Sequence, residues 1–360
     1  MTIINNIEID NVKYEKNTIK EAIINNDCIE DKLHAIIVIS NPCLYAKRYI
    51  LAKQFMKKFE CEESDVILYL VELIYEGQKF ILTDKNNKRH LQLKTKIPIW
   101  HKENMINLGV KYLLPNNWKA FAWIDADIEF ENVEWAKDTL KVLNGSKDIV
   151  QLFSHCVDMD QNNNTLNIFS SFGYNYINKK KYSGKSFDYW HPGFAWAITR
   201  KAYERIGSLY EYGILGSGDN IMALSLINNG LKAINSDSTK EYKESVLKFQ
   251  NKMKNLRLGY IPGVIKHNFH GAKKNRKYTE RWQILLKHNF NPDIHVKKDN
   301  IGLLIPTSMC PTELLDDIYN YFRERNEDEE FMENIPIINP IVVEDEDSED
   351  SEDLIFHDTE

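Results

Sequence analysis

The stretch FAWIDADIEF, Phe121–Phe130, sets the reading of the chain. An apolar run ends in Asp125 and Asp127, one residue apart, and then turns acidic. KAFAWID has the composition of a buried strand. If the strand continues through the pair, alternation sends both carboxylates to the same side. Two carboxylates that close repel each other unless a cation or a proton lies between them. The carboxyl end of a strand in an α/β sheet is also where ligands bind. Together these point to a hard divalent cation at a strand terminus. The plainer reading is a solvated pair in a loop. An EF-hand does not fit, because Phe130 stands where the loop glycine belongs. A phosphoryl-transfer enzyme with Asp125 as nucleophile is a further alternative.

Outward from this stretch, apolar runs and helical spacings alternate. LHAIIVIS (Leu33–Ser40) and VILYLVELIY (Val66–Tyr75) read as buried strands, with a helix over Tyr45–Phe59 between them. GQKFILTDKNNKRHLQLKTK reads as a hairpin, and HKENMINLGVKYLL as a helix stopped by Pro115. After Phe130 come a helix ending near Gly145, the strand DIVQLF, and a polar, turn-rich stretch containing DMDQNNNT. GFAWAITR reads as a strand, and RKAYERIG and SGDNIMALSLINNG as helices. Strand–helix alternation predicts an α/β fold, a mostly parallel sheet flanked by helices. The expected organisation is an N-terminal extension packed on the body (1–32), a main domain (33–288), an appendage (289–341) with a helix near 311–325, and an acidic tail (342–360). That helix has apolar positions Leu314, Leu315, Ile318 and Tyr321.

The tail holds ten Asp or Glu and no Lys or Arg; without it the net charge of −7 becomes +3. Such a segment buries too little apolar surface to offset its ordering entropy, so disorder is expected. The short Lys-rich pieces NKKKYSGK and KKNRK lie in a near-neutral body and read as solvated faces, so no nucleic-acid partner is expected. No apolar run reaches the ~20 residues of a membrane helix. The N-terminus lacks the pattern of a secretory signal, and five scattered cysteines form no CxxC. A cytoplasmic protein with no membrane span is the expectation.

Strand plus DxD resembles the metal-binding motif of glycosyltransferases of the GT-A fold. WHKENMINLGVKYL (Trp100–Leu113) is similar to the helix just before DxD in the β-1,4-galactosyltransferase group. HPGFAWAITRKAYERIGSLYE (His191–Glu211) and GILGSGDNIMA (Gly213–Ala223) resemble that group's glycine-containing donor loop, here Gly193, and its acidic helix start. The family's acidic triplet is reduced to Gly218-Asp219-Asn220. IKHNFHGAKKNR (Ile265–Arg276) resembles the segment with the late metal-binding histidine. NPCLYAKRY (Asn41–Tyr49), with these segments, is also similar to glycosyltransferase-like proteins of phages and large DNA viruses.

The resemblance implies a GT-A-like (Rossmann-like) domain that transfers a sugar from a nucleotide-sugar, a UDP-sugar by preference, to a glycan or protein hydroxyl. Asp127 is then the main carboxylate ligand of Mn²⁺ or Mg²⁺, with Asp125 on the ribose or on the metal through water. His270 is the expected third ligand, since Gly271 and Lys273 after it let backbone and ammonium approach a phosphate; His267 is the alternative. A histidine ligand favours Mn²⁺ over Mg²⁺. Asp219 is the implied general base of an inverting transfer, with Glu211 in reserve; an ordinary helix cap is its other reading. Asn41 and Glu72, at strand ends, are candidates for base or ribose, and Lys102 for the diphosphate. Tyr189 and Trp190 are candidates for stacking on sugar. A module on the same fold that binds nucleotide or carbohydrate without turnover is the remaining rival.

Overall fold

The computed structural model describes residues 3–4, 7–8, 20, 23–183 and 189–329. The acidic tail expected at 342–360 lies outside the described residues, as does most of 1–22.

The apolar runs form a central seven-stranded sheet. In chain order its strands are β1 (Leu33–Ser40), β2 (Val66–Tyr75), β3 (His90–Thr95), β4 (Ala120–Ile124), β6 (Ile149–Gln151), β10 (Ala195–Thr199) and β11 (Leu258–Tyr260). They lie in the order β11-β6-β10-β4-β1-β2-β3. β10 runs against both neighbours; the other pairs are parallel. The expected α/β fold, a mostly parallel sheet flanked by helices, is the one observed. Alternation along the strands fills two cores. Ile36, Phe121, Trp123, Trp196 and Ile198 face one, with Met105 and Ile106 of α2 (Lys102–Tyr112) and Ile221 of α6 (Gly218–Leu226). Ala35, Ile37, Ala122 and Ala197 face the other, with Phe55 and Phe59 of α1 (Ala46–Glu62) and Trp135 and Leu140 of α3 (Trp135–Leu143). Large residues on one face of β4 and alanines on the other set how closely each helix layer approaches.

The expected hairpin after β2 is absent: β3 pairs parallel to β2. Glu72 explains the path. Its buried carboxylate accepts the backbone N–H groups of Ile81, Leu82 and Thr83 and the Thr83 hydroxyl. This gathers the connection into a loop that returns to the start of the sheet edge, as a parallel partner requires.

A second sheet of five strands holds β5 (Ile128–Phe130), β7 (His155–Met159), β8 (Thr165–Ser171), β9 (Trp190–His191) and β12 (Val264–His267), in the order β9-β8-β7-β12-β5. The stretch around DMDQNNNT, expected to be irregular, is therefore the β7–β8 hairpin. Two further helices line the first core: α5 (Arg200–Ile206), capped by the Thr199 hydroxyl, and α7 (Lys240–Met253), capped by that of Thr239. Near the C-terminal end, α10 (Thr312–Glu324) buries Leu314, Ile318, Tyr321 and Phe322. The residues after it reach back across the molecule. Asp328 accepts the N–H groups of Ala46 and Lys47 at 2.9 and 2.8 Å, capping α1 from a distance and meeting its dipole.

Candidate active site

Strand β4 stops at Ile124, and Asp125 to Asp127 form a turn rather than the last residues of a strand. The alternation argument therefore does not hold for the pair. The turn is fixed by the Asp125 N–H, which donates to the carbonyl of Phe194 at 2.9 Å. Phe194 takes a left-handed backbone, φ 78°, an outlier for a bulky residue and the kind of strain found at functional sites. Asn268 N–H donates to the Asp127 carbonyl at 2.8 Å. Both aspartates line one cavity of about 370 Å³ at the carboxyl ends of β1 and β4.

Asp127 meets two imidazoles. His270 Nε2 lies 2.9 Å and His267 Nε2 3.8 Å from its Oδ2. Ligand atoms of Asp127, His267 and His270 all lie within 4.8 Å of one another. Register explains the convergence: β12 pairs His267 with Ile128 on one side and with Asp158 of β7 on the other. Asp158, 2% exposed, sits 2.6 Å from His267 Nδ1. Burial alone would raise the Asp127 carboxyl; the His270 hydrogen bond and the charges of His267, His270 and Arg276 hold it well below the usual range. Burial lowers His267, favouring the neutral imidazole a metal needs. Asp127 Oδ1 and His267 Nε2 are buried with no hydrogen-bond partner. One carboxylate oxygen and one imidazole nitrogen without partners, beside a second imidazole whose Nε2 now meets Asp127 and Arg276, form a donor set that suits a divalent transition metal.

Asp125 faces the other way, 2.5 Å from Lys102 Nζ. Lys102 opens α2, and Glu103 beside it is pushed up to about 7 by burial. Asp219, in the first turn of α6, lines the same wall. Its Oδ1 accepts the Asn220 N–H at 2.8 Å. Two glycines permit this packing. A Cβ on Gly193 would lie 2.9 Å from Asp219 Oδ2, and one on Gly218 2.3 Å from the Glu103 carboxyl carbon. Six cationic side chains, Arg48, Lys102, Lys273, Arg276, Arg281 and Arg325, ring the cavity. Glu327 lies among them, bonded to Arg48 and Arg325, with an oxygen 3.7 Å from His270 Nδ1.

No protein-family model matches the chain, and no curated protein does. Among solved structures, the catalytic domain of Drosophila β1,4-galactosyltransferase 7 in complex with xylobiose is similar at a TM-score of 0.39 and 10% identity, over 80% of this chain and 99% of that one. A mutant of that enzyme in complex with manganese, UDP-Gal and xylobiose gives 0.40 and 11%, over 80% and 98%. Scores this low transfer no residue's role. No helix among the described residues is long and apolar enough to cross a membrane.

Of the residues singled out by sequence, Lys102, Asp125, Asp127, Tyr189, Gly193, Asp219, His267, His270 and Lys273 line the cavity. Sequence posed the two histidines as alternatives; both converge on Asp127. Lys273 is engaged by Asp158 at 2.5 Å. Four others serve elsewhere. Asn41 closes the turn before α1 through both Tyr45 backbone groups, at 2.8 and 2.9 Å. Glu72 holds the 81–83 loop. Trp190 packs edge-on against Phe172, its Nε1 donating to Lys181. Glu211 is buried against Asn104, Asn107 and Lys298, outside the cavity. Sequence reasoning missed Arg48, Glu103, Asp158, Arg276, Arg281, Arg325 and Glu327. For Asp158 the signal was an aspartate just before the turn of a hairpin that was read as loop. Glu327 carried none.

Proposed function

We propose that the chain is a metal-dependent glycosyltransferase that moves a sugar from a nucleotide-sugar, a UDP-sugar, to a hydroxyl of a glycan or protein acceptor with inversion. The observation that carries this is the Asp127–His267–His270 cluster at a strand terminus, inside a cavity ringed by cations. Asp127, His267 and His270 would hold the ion, Mn²⁺ rather than Mg²⁺ because two donors are imidazoles. When bound, the ion supplies positive charge against the leaving diphosphate.

The chain's own residues do the rest. The cavity's cations draw in the diphosphate and hold its negative charge as the bond to the anomeric carbon breaks. Asp125 anchors Lys102 on the side facing Asp219. The Asp219 carboxylate takes the proton of the acceptor hydroxyl as its oxygen bonds to the anomeric carbon, opposite the departing diphosphate. Tyr189, beside Asp219 on the cavity wall, offers a ring face to a sugar. The test is a panel of nucleotide-sugars incubated with the protein and Mn²⁺, with release of nucleoside diphosphate measured with and without chelator. Mn²⁺-dependent release from one donor is expected. Binding without release would favour a non-catalytic module, and an acyl-phosphate trapped on Asp125 would overturn the reading in favour of phosphoryl transfer.

A further inference from the structure

We infer that Asp158 is a positioning residue that sets the tautomer of His267 and so presents its Nε2 lone pair to a metal; this rests on the metal reading above. Its place just before a hairpin turn does not mark it for this role, which comes from register. In the parallel pair of β7 and β12, Asp158 stands beside His267, so both side chains project to one side of the second sheet. The contact is short, 2.6 Å from Oδ1 to Nδ1. Lys273 donates to the other oxygen, Oδ2, at 2.5 Å.

With an ammonium on one oxygen, the carboxylate stays an acceptor at both. The proton of the neutral ring must then sit on Nδ1, where it is donated to Asp158. That leaves Nε2 with a bare lone pair. This atom is buried, has no hydrogen-bond partner, and faces Asp127. The Phe194 ring, its centroid 4.7 Å from that of His267, blocks rotation on one face. An imidazole with one nitrogen clamped by a carboxylate and the other bare is oriented before any ligand arrives. An aspartate kept only for packing or charge balance would have no reason to fix which nitrogen carries the proton.

The experiment has two arms. The first measures imidazole ¹⁵N shifts of the metal-free wild-type chain, with His267 assigned by its absence from His267→Gln. An Nδ1–H tautomer with unprotonated Nε2 is expected, and an Nε2–H tautomer overturns the inference without any Asp158 variant having to fold. The second titrates Mn²⁺ alone, without donor, into wild type and Asp158→Asn. Asp158→Asn should bind Mn²⁺ ~10–100-fold more weakly, the usual effect of removing such an outer partner. Equal Mn²⁺ affinity in wild type and Asp158→Asn overturns the inference while leaving the metal site standing. A wild-type chain that binds no Mn²⁺ overturns the metal reading, and this inference with it.

Discussion

Asp125 and Asp127 are one residue apart and similarly shielded, their side chains 25% and 21% exposed, yet they belong to opposite walls of the cavity. Asp127 joins the imidazole wall, built by the second sheet, where His267 and His270 hold its carboxyl low. Asp125 joins the lysine wall, built by the starts of α2 and α6. There burial raises it against the pull of Lys102, and the charges of Asp127 and Asp219 add to the rise. Burial acts on both carboxylates alike, so the partners set the direction. On the function proposed above, one wall would hold a metal ion and the other would take the acceptor's proton.

The largest expected effect breaks the imidazole wall. Asp127→Ala should abolish Mn²⁺-dependent donor binding and transfer while its circular dichroism stays native-like; near-normal Mn²⁺-dependent turnover would remove the distinction between the walls. Next is Asp219→Asn on the lysine wall. Asn keeps the helix-start chemistry, so the variant should remain stable and bind Mn²⁺ and donor. Turnover should fall ~10²–10⁴-fold, the range for a lost general base. A fully active Asn variant would make Asp219 a helix-start residue only.

His101, at the foot of the lysine wall, tests how dry that wall is. Burial depresses it to about 4, although its Nε2 donates to the Leu304 carbonyl at 2.9 Å. The unfolded chain binds that proton near pH 6.5 and the folded one does not. Stability is therefore undiminished above about pH 6.5 and falls as the pH drops toward 4, by about 3 kcal/mol from this group. His101→Gln, which can still donate, should flatten that part of the denaturation profile. An unchanged slope would mean that the ring is not kept neutral. The smallest effect is expected from Asp125→Asn. It removes one charge-assisted contact to Lys102, so donor affinity should fall roughly 10-fold with Mn²⁺ affinity nearly kept. A loss as deep as that of Asp127→Ala would merge the two walls into one.

The lysine wall was more legible in sequence than the imidazole wall, for a physical reason. Its residues stand at the ends of β4, α2 and α6, elements with apolar runs or helical spacing that announce themselves. The second sheet is made of strands only two to seven residues long. The outer part of β8, Thr165–Ile168, is exposed and shows no apolar run. Its partnerships join segments as far apart as Asp158 and His267, which no local pattern encodes. Glu72 misled in the opposite way. Its place within an apolar run was visible, but not that its carboxylate would organise a crossover loop. The stretch read as a hairpin, GQKFILTDKNNKRHLQLKTK, holds that loop and the parallel strand β3 instead.

The bond between Arg48 and Glu327 spans 279 residues. Chains fold from the N-terminus as they are synthesised, so both sheets can be complete while Glu327 is still unmade. Until it arrives, Arg48, Arg325 and His270 lack their shared carboxylate and α1 lacks the cap supplied by Asp328. Among the described residues the cavity is thus completed after both sheets, and a product truncated just before residue 325 would carry nearly all of the described fold without a whole site.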